Sequence, residues 1–336
     1  MSPIDLGPAI DGALEMAMAA DDTILIIGED VPMMRSGLFA RYGPRRVRAS
    51  PISESAFLGA GVGAALGGLR PVIEIMFVDF LAVALHALSN EAALIETLSG
   101  GRWQVPLLIR AACGGGYGDA GQHEQSLWGM ISSIPGVTVA IPSNEADAAG
   151  LTLTALRHRG PVVLLEHKLL SSLWRQSVAG ASRGGVDFDI PEGDPWETSS
   201  ASPVPFGHAA IITTGKDVLL VSVAMGVHRS LEASRHLAGE GISATVLDLR
   251  TTAPLDQAQL IREASRVEAV VVVDEDYGPF GLSGEVAAVL AENRVMVPFA
   301  RVTATGAIPY ARRLESAVLP STARVMEAVK RLLSSS

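Results

Sequence analysis

Short runs of β-branched and aliphatic residues recur along the chain at Thr23 to Ile27, Pro71 to Met76, Val105 to Arg110, Val137 to Ile141 and Val162 to Glu166. They are continuous rather than alternating, the pattern of strands buried on both faces in a parallel sheet. The stretches between them carry apolar residues at helical spacing. Strands alternating with helices predict βαβ units, a parallel sheet covered on both faces.

From Gly180 to Pro205 the composition turns to Gly, Ser, Pro and acids, including Pro191-Glu-Gly-Asp-Pro195. Such a stretch reads as a linker. Beyond it the βα pattern restarts, with strands expected at Val218 to Val223, Ser243 to Leu249, Ala269 to Asp274 and Val297 to Val302. The fold class is therefore α/β in two domains, each a mostly parallel sheet flanked by helices. The boundaries are 1–185 for the first domain, 186–207 for the linker and 208–336 for the second. No sequence repeat of solenoid length is visible.

Composition narrows the function. Acids outnumber bases 36 to 26, for a formal net charge of -10, which argues against a nucleic-acid partner. The first thirty residues contain no Lys or Arg, so they match neither a basic secretory signal nor an Arg-rich presequence, and a cytoplasmic, or already processed, chain is expected. The most apolar stretch, Phe57 to Leu88, is broken by Arg70, Glu74 and Asp79, leaving no run of about 18 uncharged residues to span a membrane. The one cysteine, Cys113, excludes an internal disulfide or a Cys-based metal cluster and reads as a small buried residue.

Four segments carry candidate chemistry. Gly59-Ala-Gly61-Val-Gly63-Ala64 matches a dinucleotide fingerprint formally, but no strand precedes it. Ser53 is a candidate N-cap, and Gly59, Gly63 and Gly67 clear one helix face for close packing. Gly114-Gly-Gly-Tyr-Gly118 follows a strand end and is compatible with a simple turn or a ligand loop. His123 follows it, at the expected start of a helix containing Leu127, Trp128, Met130 and Ile131, as either a structural or a reactive imidazole. Glu54 opens the Gly-rich helix. It is either an acid favoured by the helix dipole or a desolvated carboxyl whose pKa rises into the range useful for proton transfer.

Taken in order, Ile27-Gly-Glu-Asp-Val31, Pro51-Ile-Ser-Glu54, Gly61-Val-Gly-Ala-Ala65, Gly68-Leu-Arg-Pro-Val72, Asp79-Phe80, Leu98-Ser-Gly-Gly101, Gly121-Gln-His123, Pro161 to Glu166 and Leu247-Asp-Leu-Arg250 with Pro254-Leu-Asp256 resemble a known family. It is that of the β subunits of thiamine-diphosphate-dependent 2-oxo acid dehydrogenases, a transketolase-like branch. The resemblance covers nearly the whole chain.

The resemblance implies that Glu54 bonds N1′ of the cofactor's aminopyrimidine and favours the imino tautomer, whose nitrogen takes the thiazolium C2 proton. It also implies that Phe80 lies against the pyrimidine ring and that Glu29 stands at a strand end beside the cleft. His123 matches the family histidine near the substrate, placed to help acyl transfer to a lipoyl group. The implied reaction is oxidative decarboxylation of a 2-oxo acid, pyruvate foremost, with lipoamide as acceptor. A split transketolase, an acetoin-cleaving relative and a catalytically silent assembly subunit are the alternatives.

Two departures stand out. The segment Pro32-Met-Met-Arg-Ser-Gly37 is shorter than in many members, which puts its substrate-channel contacts in doubt. His158-Arg159-Gly160 occupies the turn where some members bind potassium, and no cation is expected there. No metal-ligand set is expected in this chain either, because it lacks the Gly-Asp-Gly and following Asn turn that would supply hard oxygen ligands to Mg²⁺. The diphosphate and Mg²⁺ are expected on a separate α subunit in an α2β2 assembly, which could dock on a lipoyl acyltransferase core.

Overall fold

The computed structural model describes residues 2–119, 121–180, 190–193, 197 and 200–334. Much of the expected linker, 186–189, 194–196 and 198–199, lies outside the described residues, as does the boundary expected at residue 185. The chain divides into two compact units, one formed by 1–113 and 131–206 and the other by 114–130 and 207–336.

In the first unit six strands, all parallel, run in the order Thr138–Ala140, Pro161–His167, Leu107–Cys113, Arg70–Phe77, Ile24–Gly28 and Val47–Ala49. Leu107–Cys113 and Pro161–His167 are buried along their whole length, as continuous apolar runs require. The expected run Val105 to Arg110 is displaced towards the C-terminus and ends at Cys113, itself fully buried. Periodicity locates a strand better than its ends, which the sheet ladder fixes.

Helices Leu6–Ala20, Glu54–Leu66 and Glu145–Ala155 belong to this unit. Asn144 caps the last of them by accepting from the Asp147 amide at 2.9 Å. Ser53 holds the N-cap position of Glu54–Leu66 but makes no side-chain capping bond. The close-packing glycine of that helix is Gly61, where a Cβ would stand 2.7 Å from Ile73 Cδ1. Gly63, expected to pack closely, faces open space.

In the second unit the strand order is Phe299–Ala304, Ala269–Tyr277, Val218–Ser222, Ala244–Asp248 and Ala210–Thr213. The last pairing is antiparallel and the others are parallel. Helices Met225–Gly239 and Thr322–Ser334 cover the sheet through Val227, Leu237, Val325 and Val329, which close a core with Val218, Val246, Val271 and Val273. His123 lies in a turn of this unit, and the helix expected to start there begins at Trp128. Among the described residues no helix is long and apolar enough to cross a membrane.

Candidate active site

Strand Ile24–Gly28 delivers Glu29 to the C-terminal edge of the first unit's sheet, and strand Arg70–Phe77 delivers Phe80 to the same edge on the short helix Val78–Leu81. Helix Glu54–Leu66 follows strand Val47–Ala49 and puts Glu54 there too. Ligands of open parallel sheets bind outside this edge. Gly28 is required by close approach, since a Cβ would meet the Glu74 carbonyl oxygen at 2.4 Å.

Glu54 is 9% exposed. Burial pushes the Glu29 carboxyl above the ordinary glutamate range, and the negative charges of Asp30 and Glu54 push it the same way. At the mouth of the parallel sheet the Glu54 charge thus opposes ionisation of Glu29. Ser55 Oγ donates to the Val83 carbonyl at 2.6 Å, tying the residue beside Glu54 to the segment just past Phe80. The Phe80 ring sits edge-on to Phe77 at 5.6 Å, and Phe77 lies 5.2 Å from Trp174. Lys168 Nζ stands 5.1 Å from the Phe77 ring, a cation–π contact beneath the aromatic group.

Behind Glu29 lies a charged network that sequence reasoning passed over. Arg110 donates to Glu166 at 3.0 and 2.6 Å, to Glu74 at 3.3 Å and to Asp11 at 2.8 Å. Arg35 donates to Glu74 at 3.3 and 3.0 Å. Arg35, Glu74, Arg110 and Glu166 line a small cleft together with Glu29 and Met34. The available signal was charge at positions 74, 110 and 166 inside otherwise apolar strand runs. The short segment after Glu29 thus supplies a buried ion-pair partner, Arg35, from a turn between the helices Val31–Met34 and Ser36–Arg46.

His123 belongs to the other unit, so Glu29, Glu54 and Phe80 are brought to one sheet edge without it. Its Nδ1 is 3.1 Å from the Asp119 carbonyl oxygen, an atom that can only accept. Nδ1 therefore carries the hydrogen, and in the neutral ring Nε2 is an acceptor. The Gly114–Gly118 loop also resolves: the amides of Gly116 and Gly118 donate to Glu315 Oε1 at 2.7 and 3.2 Å. Its anion is a carboxylate of the same chain. At the turn considered for potassium, the carbonyls of Leu156 and His158 accept from Arg70 Nη1 at 3.0 and 3.3 Å.

The family model for the transketolase pyrimidine binding domain matches residues 2–172, and that for the transketolase C-terminal domain matches 207–325. The chain is 33% identical to the β subunit of acetoin:2,6-dichlorophenolindophenol oxidoreductase from Cupriavidus necator, over 97% of this chain and 96% of that one. It is 33% identical to the β subunit of the pyruvate dehydrogenase E1 component of Rickettsia conorii, over 98% of each. The 2-oxoisovalerate dehydrogenase β subunit of Bacillus subtilis is also 33% identical, over 99% and 98%. Among solved structures, a split-gene transketolase described as an inactive β4 tetramer superposes with a TM-score of 0.79 over 99% of both chains at 22% identity, a likeness of fold. With its acid pair and aromatic group at the mouth of a parallel sheet, the chain belongs to the transketolase-like, thiamine-diphosphate-dependent family of 2-oxo acid dehydrogenase β subunits.

Proposed function

We propose that this chain is the β subunit of a cytoplasmic 2-oxo acid dehydrogenase, decarboxylating pyruvate and passing the acyl group to lipoamide together with an α subunit in an α2β2 assembly. The observation that carries the site is the buried Glu54 beside Glu29, whose carboxyl is held up in part by the Glu54 charge. These groups fit the pyrimidine end of thiamine diphosphate, because a desolvated carboxyl shares a proton with a ring nitrogen where an exposed one would give it to water. When bound, the cofactor supplies the electron sink for decarboxylation.

The chain's own part is positioning and proton control. Glu54 would hold a proton at N1′ of the bound pyrimidine, and Glu29, its own carboxyl held up by burial, stands at the same sheet edge. Phe80 would pack against the pyrimidine, an aromatic contact worth roughly 0.5–1.5 kcal/mol beyond area burial. His123 is assigned to acyl transfer, the role its match to the family histidine implies. Its Nδ1–H is engaged by the Asp119 carbonyl, which leaves Nε2 as the ring nitrogen that would serve the substrate.

The diphosphate and its Mg²⁺ fall to the α subunit, because this chain lacks a Gly-Asp-Gly with a following Asn turn. Ile52 and Val83, 73% and 61% exposed, and Gly63, which faces open space, supply apolar surface that such a partner would bury. A lipoyl acyltransferase core is the acceptor of the assembly.

Acetoin cleavage is the second reading, because identity to the acetoin oxidoreductase subunit equals that to the pyruvate dehydrogenase subunit. Reconstitution with the α subunit and lipoamide-dependent assay on pyruvate, branched-chain 2-oxo acids and acetoin tests both. Turnover of pyruvate is expected; exclusive turnover of acetoin would install the second reading, and none with any of them would leave an assembly role.

A further inference from the structure

His123 sits on residues 114–130, whose described residues form no helix or strand before the helix at Trp128. Its N–H donors, backbone and side chain, nevertheless converge on three carboxyl groups. Gly114, Gly116 and Gly118 have φ of 89°, 86° and 82°, a left-handed alternation that turns successive amides to one side, as in an anion-binding nest. The Gly116 and Gly118 amides meet Glu315 Oε1, and Glu315 is 1% exposed. On the other side of His123, Trp128 Nε1 donates to Asp274 Oδ1 at 2.9 Å and the Gly129 amide to Asp276 Oδ2 at 2.8 Å. Asp274 and Asp276 are 0% and 5% exposed.

Between these anchors the segment closes on itself. The Gly114 amide donates to the Gln125 carbonyl at 3.1 Å, and Gln125 Oε1 accepts from the Tyr277 hydroxyl at 3.1 Å. Contact is close at both ends, since a Cβ on Gly115 would stand 2.8 Å from Leu319 Cδ1 and one on Gly129 would stand 2.8 Å from Gly281 Cα. A loop held only by apolar contacts can slide. Hydrogen bonds to fixed carboxyl groups are directional and fix its register.

We propose that Glu315, Asp274 and Asp276 are positioning residues, a carboxylate frame that holds residues 114–130 from both sides and so sets the orientation of the His123 imidazole for acyl transfer. The inference rests on the role given to His123 above. The sheet could be stabilised by apolar packing alone, as its helix-covered core is. Three buried acids that bracket one histidine instead make its pose depend on polar contacts.

The decisive pair is Glu315→Gln and Glu315→Ala. Both loop bonds go to a single oxygen, so a glutamine carbonyl keeps them and alanine loses them. In the reconstituted enzyme, Glu315→Ala is expected to lower the kcat of lipoamide acylation by about 10²-fold, the effect of a reacting group misplaced by an ångström, with Glu315→Gln near the original. Decarboxylation measured with an artificial electron acceptor should change little. In a His123→Ala background Glu315→Ala should add no further loss. Additive losses, or equal damage from Gln and Ala, would overturn the proposal.

A second readout is independent of activity: the ring proton shifts of His123 in the full chain, followed by NMR in Glu315→Ala and in Asp276→Asn. Changed shifts support the frame even if His123→Ala proves fully active, a result that would strike down only the function assigned to the histidine. Unchanged shifts in both variants overturn the frame.

Discussion

The Arg110 guanidinium donates twice to Glu166 Oε2 across adjacent parallel strands, with both side chains 1% exposed. Burial opposes the arginine's charge, but Glu166, then Glu74 and Asp11, more than reverse that and hold its pKa above the ordinary value. Arg110→Leu strips this partner from two buried carboxylates. Removing one member of a buried pair is worth about 3–5 kcal/mol of destabilisation, whereas replacing both by apolar residues is far milder. Denaturant unfolding of Arg110→Leu and of Arg110→Leu with Glu166→Leu should show the double variant as the more stable of the two.

Glu54→Gln keeps shape and burial but cannot share a proton at N1′ in the same way. Deuterium exchange at the cofactor's C2 in the reconstituted enzyme should fall by about 10²–10⁴-fold, with the circular dichroism of the chain unchanged. Exchange as fast as in the original would remove Glu54 from the role assigned to it.

Stability should depend on pH through Asp274. Burial, then the neighbouring Asp276 carboxylate, pushes its pKa from the ordinary 3.8 up to about 7, against the pull of the Trp128, Asp276 and Ser283 N–H donors. The folded state therefore binds more protons than the unfolded one between these values, and the contribution of this group is lost as pH rises through about 7. Asp274→Asn is expected to flatten the pH dependence of Tm across that window. An unaltered slope would show that Asp274 is ionised throughout.

The purified chain alone should show no decarboxylase activity and only weak, Mg²⁺-independent binding of thiamine diphosphate. Titration calorimetry checks this with and without the metal. Tight, Mg²⁺-dependent binding by this polypeptide would refute a diphosphate site on the α subunit.

The sequence by itself determined the α/β class and the two βα series. Continuous runs such as Val162 to Glu166 can be buried on both faces only in a parallel sheet, and local pattern carries that information. It also made Glu29, Glu54, Phe80 and His123 legible as candidates, because their motifs recur in order along one chain. Strand ends were not legible, as Leu107–Cys113 shows, since a ladder partner and not local hydropathy decides where pairing stops. Tertiary structure alone gathered Arg35, Glu74, Arg110 and Glu166 into one network, because residues more than thirty positions apart meet only when the sheet register sets Glu74 opposite Arg110. It also grouped residues 114–130 with the C-terminal unit and turned the glycine loop onto Glu315. The glycine run left a simple turn and a ligand loop equally open in the sequence, and only the fold aimed its amides at a carboxylate of the same chain.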